Sequence, residues 1–301
     1  MIKKDRHAVQ RTCAALAALI SVGMGRMLQE EYFMYIDSHI HTEFSSDSNT
    51  PLYMQAERAI DLGMDAVYIT DHQDFDFPEE VYGMPFQFDT HAYMQALADA
   101  REQYRDRIDL RPGVELGLML HLKERLETYT KRWPFDYVIG SVHLVRRMDP
   151  YYPEFYEGRT SREAYLEYFE TTLENVRVHD CFDALGHLDY VVRYGPDAPS
   201  GYPSRCYDLV IDEILRTLVQ KGIALECNTA GLKYGLGFPN PHEKIIRRYL
   251  ELGGEMITLG SDGHQPAHVG YAFSSIGDYL KACGVRYQTV FKNRKPEFLP
   301  L

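Results

Sequence analysis

Cysteine is scarce and unpaired in this sequence. Five occur, at 13, 181, 206, 227 and 283, with no CxxC spacing. That argues against a thiolate structural zinc site and against the disulfide framework of a small secreted fold. Buried or free thiols in a reducing cytoplasm are expected instead. Positive charge is also short: 32 Lys and Arg face 44 Asp and Glu, for a net charge of −12. Nucleic-acid binding over a basic surface is therefore disfavoured. A phosphorylated small molecule stays open as a partner, because the charge of the site governs its binding more than the sum over the chain. No internal repeat or low-complexity tract occurs. The apolar run Cys13 to Val22 is too short to span a bilayer, so no membrane partner is expected.

What is present is ordinary globular composition, 45% hydrophobic and 25% charged over 301 residues. That length fits two small domains or one α/β barrel. Residues 1–33 stand apart. Lys3, Lys4, Arg6 and Arg11 precede the short apolar run, as in a signal peptide, but no convincing small-x-small cleavage site follows. Gln29-Glu30-Glu31 can be encoded by a purine-rich stretch like a ribosome-binding sequence, with Met34 at a suitable distance. We expect Met34 to be the natural start, residues 1–33 to be a translated or disordered leader, and 34–301 to form a single domain.

From Met34 onward, short β-rich runs alternate with helical stretches. Strands are expected at Tyr35–His41, Ala66–Thr70, Asp109–Leu116, Asp136–Val142, Cys181–Leu188, Ile223–Asn228 and Glu255–Leu259. Between them lie helices at Pro51–Leu62 (capped by Thr50), Thr90–Arg105, Leu118–Thr130, Ser161–Val178 (capped by Ser161), Cys206–Lys221 and Pro241–Leu252. Gln288–Phe298 reads as a basic extended tail. Such alternation points to a parallel sheet with helical crossovers, either closed or open.

The polar residues favour closure. Nearly every expected strand ends in His, Asp or Glu: Asp37-Ser38-His39-Ile40-His41, Thr70-Asp71-His72, Glu115, Gly140-Ser141-Val142-His143, Gly186-His187-Leu188-Asp189, Glu226-Cys227-Asn228 and Gly260-Ser261-Asp262-Gly263-His264. A doubly wound sheet gathers ligands at one switch point. A barrel mouth gathers them from every strand. His39 and His41 are two apart and face one side of their strand. Six of the 12 histidines sit at these ends, which makes coincidence a poor explanation. Imidazole with carboxylate suits Zn²⁺, Mn²⁺ or Fe²⁺. His7, His91, His121, His179, His242 and His268 lack paired ligands and read as surface or structural groups.

These motifs, in this order, resemble the polymerase and histidinol phosphatase (PHP) superfamily. Leu185–Gly195 (LGHLDYVVRYG) and Glu226–Leu232 (ECNTAGL) resemble its histidinol-phosphatase branch. The resemblance runs from Met34 to the C-terminus. It implies a distorted (β/α)₇ TIM-like barrel with three divalent metal ions (Zn, Mn or Fe). By that resemblance His39, His41, Glu115 and Asp262 hold one metal. Glu115 bridges to a second with His143 and His187. The third takes His72, His264 and a residue of the loop after the first strand. Many relatives have a His there; this chain has Ser45-Ser46-Asp47-Ser48, so Asp47 is the expected replacement.

The implied activity is hydrolysis of L-histidinol phosphate to L-histidinol and phosphate in histidine biosynthesis, by metal-activated hydroxide. Three divalent ions against Asp47, Glu115 and Asp262 leave a net positive site suited to a phosphate dianion. The expected catalytic groups are Glu115, Asp262 and His264, the last two or bound water being candidates for the leaving-group acid. Arg193, Arg159, Arg162 and Lys233 are candidate phosphate contacts. Glu226 and the Tyr-rich loop 151–156 are candidates for the ammonium and imidazole of the substrate. Other superfamily phosphoesterases (protein-tyrosine phosphatase, nucleotidase, nuclease) are the alternatives. An amidohydrolase fits less well, because no Lys sits at the fourth strand end. A non-catalytic metal-binding domain fits less well again, because all nine ligand positions are filled.

Overall fold

A computed structural model describes residues 36–196, 202 and 205–301. The expected leader, 1–33, lies outside them. Seven parallel strand positions circle a barrel: β1 (Ile36–Ile40), β2 (Ala66–Ile69) continued by β3 (His72–Gln73), β4 (Asp109–Gly117), β5 (Tyr137–Ser141), β6 (Ala184–Leu185), β7 (Ala224–Asn228) and β8 (Ile257–Gly260). The end of β8 returns to β1 through Asp262 N–H to the His39 carbonyl (2.8 Å) and His41 N–H to the Gly263 carbonyl (3.0 Å). Asp37 fastens this seam by accepting from the Ser261 and Gly270 amides at 2.9 and 2.8 Å. The distorted (β/α)₇ barrel is therefore the architecture.

The second strand is broken where one run was expected. Thr70 and Asp71 turn out of the ladder, and their groups bond back to the end of β1 and the segment after it: Thr70 N–H donates to the Ile40 carbonyl, and Asp71 accepts from the Thr42 amide and hydroxyl. Pairing then resumes at His72 opposite Glu115. The break aims His72 at the barrel axis.

Strands buried on both faces read as apolar runs, because helices cover their outer side. The covering helices are α1 (Leu52–Asp61), α2 (Glu79–Tyr82), α3 (Thr90–Tyr104), α4 (Lys123–Arg132), α5 (Ser161–Val178), α6 (Asp208–Lys221), α7 (Ala230–Lys233), α8 (Glu243–Glu251) and α9 (Phe273–Cys283). Two expected caps move. Thr160, not Ser161, caps α5 in a capping box with Glu163. Thr50 does not cap α1; its hydroxyl donates to the His264 carbonyl at 2.9 Å, as does Ser48. Helix α9 was not expected. It starts after Ala272 in a left-handed conformation with no side-chain cap, so its sequence lacks a start signal.

The C-terminal tail is a hairpin, β9 (Tyr287–Lys292) with β10 (Lys295–Pro300), turning through Asn293 and Arg294, both at positive φ. It closes the base of the barrel. Phe291 stacks on Tyr137 at 5.3 Å, and Val290 and Phe291 pack with Ile36, Tyr68 and Ile139. Arg294 pairs with the buried Asp183 and donates to the Cys181 carbonyl.

Candidate metal centre

With the base plugged, the open end of the barrel is the C-terminal ends of its strands. There the nine expected ligand positions come together. His39 and His41 project from β1 and just beyond it, His72 from β3 and Glu115 from β4. His143, His187, Asp262 and His264 follow the ends of β5, β6 and β8, and Asp47 lies in the turn after β1.

Glu115 is fully buried at the centre. Its Oε1 lies 2.9 Å from His187 Nε2 and 3.2 Å from His143 Nε2. Its Oε2 lies 3.1 Å from His39 Nε2, 3.1 Å from His72 Nδ1 and 3.5 Å from His41 Nε2. Asp262 Oδ1 is 3.4 Å from His41 Nε2 and 3.9 Å from His39 Nε2. Asp47 Oδ2 is 3.0 Å from His264 Nε2 and 3.7 Å from His72 Nε2. Asp262 reaches this position through a left-handed backbone, φ 54°, uncommon for a side chain with a Cβ.

The atoms facing the centre fit divalent ions. His39 Nε2, His41 Nε2, His72 Nδ1 and Glu115 Oε2 are buried without a hydrogen-bond partner, which is costly unless something else satisfies them. Two ligand atoms each about 2.1 Å from one ion lie about 3.0–3.4 Å apart, close to the separations above. The groups His39–His41–Glu115, Glu115–His143–His187 and His41–His72–His264 each bring their ligand atoms within 4.8 Å of one another.

The second ring nitrogens are held from behind, which sets tautomer and orientation. His39 Nδ1 donates to Glu226 Oε1 and His143 Nδ1 to Asp74 Oδ2, both at 2.6 Å. His41 Nδ1 donates to Ser45 Oγ (3.0 Å), whose hydroxyl donates to Asp71 (2.6 Å). Burial opposes charge on His39 and His143. Glu115 with Glu226 and Asp262 in the first case, and Asp74 with Glu115 in the second, outweigh it and hold both pKa values well above the usual. For His41, burial and the neighbouring His264 and His72 act together and push it well below. Burial likewise opposes ionisation of Glu115 and Asp262, yet the histidines around Glu115, and Arg193 with His39 beside Asp262, keep both far below the carboxylate range.

Above the centre is a cavity of about 390 Å³, small-molecule size. Arg193 lines it, with Nη1 on Asp262 Oδ2 (2.8 Å), Nε on Asn240 (2.8 Å) and Nη2 on Asn228 (3.0 Å). Lys233 lines it too and donates to the Asp262 carbonyl at 3.0 Å. The other expected contacts lie elsewhere. Arg159 pairs with Glu167 over the Phe155 ring, and Arg162 is exposed on α5; neither borders the cavity. Glu226 is fully buried behind His39 and cannot meet substrate. Of the Tyr-rich loop, Tyr151 and Tyr152 face the cavity, while Phe155 is in the core and Tyr156 bonds the Val191 carbonyl.

Two carboxylates and one imidazole of the cavity escaped the sequence reading. Asp74 lies two positions after His72, a spacing that was legible. Asp149 sits in the long loop, where periodicity carries no signal. His268, read as structural, borders the cavity, and burial pushes it down to about 4.

Comparison with known proteins agrees with this geometry. The PHP domain model matches residues 37–230. The chain belongs to the PHP domain family. Among members, it is 34% identical to a probable histidinol-phosphatase of Clostridium acetobutylicum, over 84% of this chain and 95% of that one. It is 31% identical to the histidinol-phosphatase of Lactococcus lactis, over 86% and 95%. The crystal structure of histidinol phosphate phosphatase from Lactococcus lactis, complexed with zinc, L-histidinol and phosphate, superposes with a TM-score of 0.78 at 30% identity, covering 88% of this chain and 99% of that PHP protein.

Proposed function

We propose that this PHP protein is a metal-dependent phosphomonoesterase that hydrolyses L-histidinol phosphate to L-histidinol and phosphate, a step of histidine biosynthesis. The observation that carries the reading is the convergence of four histidine Nε2 atoms and His72 Nδ1 on the single buried carboxylate of Glu115. The Lactococcus enzyme, similar over nearly its whole length, is described with zinc, L-histidinol and phosphate.

In this reading three divalent ions (zinc, manganese or iron) are the cofactors. His39, His41, Glu115 and Asp262 would hold one, Glu115, His143 and His187 the second, and Asp47, His72 and His264 the third. When bound, such ions neutralise phosphoryl oxygens and lower the pKa of water towards neutrality. The protein's own groups do the rest. Arg193, locked by three acceptors, presents a fixed cation beside Asp262, and Lys233 adds a second charge. Asp262 and His264 border the cavity and are the candidates to pass a proton to the leaving oxygen; Asp262, ionised beside Arg193, would first take that proton from the attacking water. The small cavity and the acidic chain speak against a nuclease. Buried thiols at Cys181, Cys227 and Cys283 suit a cytoplasmic setting. No described helix is long and apolar enough to cross a membrane.

The test is turnover on a panel of phosphomonoesters, before and after chelation and metal reconstitution. Strong preference for L-histidinol phosphate that vanishes on chelation is expected. Equal turnover across the panel would overturn the substrate assignment, and full activity after metal removal would overturn the metal requirement.

A further inference from the structure

The cavity is electrically lopsided. Arg193 and Lys233 border it beside Asp262, whereas Asp74 and Asp149 border it beside His143. Asp149 is only 8% exposed and Asp74 2%. Among the described residues no Lys or Arg pairs with either carboxylate. Asp74 Oδ2 is taken by His143, but its Oδ1 is buried without a hydrogen-bond partner. Asp149 Oδ1 accepts from the Tyr151 amide (2.8 Å) and lies 3.4 Å from the Tyr190 hydroxyl. Asp74 is matched only by the His143 imidazole, and among the described residues Asp149 has no cation of its own, which is unfavourable for a buried acid in the free protein; burial together with the Asp74 charge pushes Asp149 up to about 6.

The walls around this acidic end are aromatic. Tyr152 lines the cavity and is backed at 4.5 Å by the stacked ring of Tyr82, whose hydroxyl accepts from the Asp149 amide. Tyr190 packs against Tyr194 at 5.1 Å. Ring faces beside a carboxylate favour an organic cation over a hydrated metal ion. Asp74 is one imidazole ring away from Glu115, since His143 bridges them. A cation held here would therefore lie close to a phosphoryl group at the metal centre.

We infer that Asp149, with Asp74 beside it, receives the ammonium group of the substrate and selects phosphate esters that carry an amine near the ester carbon. The inference rests on the proposed function and assigns the specificity of the same site. Glu226, expected from sequence to meet the ammonium, is walled off behind His39; Asp149 takes that role. Asp149 is a binding residue and takes no part in holding metal.

The experiment compares wild type and Asp149→Asn on two ester pairs: L-histidinol phosphate with its deamino analogue, and O-phosphoethanolamine with ethyl phosphate. Wild type should prefer the aminated member of each pair. Asp149→Asn should raise KM for the aminated members by roughly thirtyfold, the scale of losing one partner of a buried charge pair. It should leave the amine-free members within about twofold, with unchanged metal content and melting temperature. Equal losses on aminated and amine-free esters, or no loss on either, would overturn the assignment. If wild type fails on L-histidinol phosphate yet turns over other esters, the proposed substrate is wrong, and the second pair alone still decides the role of Asp149.

Discussion

Arg193 and Asp262 form a buried ion pair, Nη1 to Oδ2 at 2.8 Å, while the other oxygen of Asp262 faces His41 at 3.4 Å. One carboxylate thus joins a cavity-lining cation to the cluster of histidines. Arg193 is held on all three nitrogens, so its position does not depend on substrate.

Replacing Arg193 by Ala leaves Asp262 buried without its cation. A stability loss of about 3–5 kcal/mol is expected in denaturant melts, together with a fall in kcat/KM of at least about a hundredfold. Arg193→Lys should recover part of the stability but little activity, because one ammonium cannot reach three acceptors.

Glu226 separates a positioning role from a substrate contact. Glu226→Gln weakens the hold on His39 Nδ1 and on the His187 amide, which donates to Oε2 at 2.8 Å. Metal affinity should fall about 10–100-fold while KM of the fully loaded enzyme changes little. Metal titration alongside kinetics at saturating metal tests this; a raised KM at full loading would return Glu226 to the substrate site.

Asp47 stands where many relatives are expected to place a His, 3.0 Å from His264 Nε2. Asp47→Ala should cost one metal equivalent per chain by elemental analysis and lower kcat by at least about a hundredfold, whereas Asp47→His should retain the metal. Unchanged stoichiometry in the Ala variant would remove Asp47 from the ligand set.

The metal-free protein should show a distinct pH dependence. For His39 and His143 the folded pKa lies above the unfolded value of about 6.5, so their stabilisation is complete below that pH and is lost as pH rises through the folded pKa. His41 runs the other way: its pKa is depressed, so it destabilises as pH falls below about 6.5. Chelated protein should lose melting temperature above neutrality, and metal uptake there should release protons, seen as buffer-dependent binding heats. Identical melting profiles with and without metal between pH 6 and 9 would refute this.

By itself the sequence determined the barrel class and the inventory of candidate ligands. Strands buried on both faces must be apolar until the point where they leave the sheet, so His and carboxylate groups at those ends, such as His39, His143 and Asp262, stand out against the run. The spacing of His39 and His41 shares one strand face for the same local reason. Only the tertiary structure decided what lies behind and above those ligands. Glu226 reaches His39 across 187 residues, and Asp149 gains its place from a loop with no periodicity. The break at Thr70-Asp71 depends on bonds to the neighbouring strand, and Arg159 is drawn to Glu167 rather than the cavity. Local patterns encode which face a residue occupies; which distant partner meets it there is set by closure of the barrel.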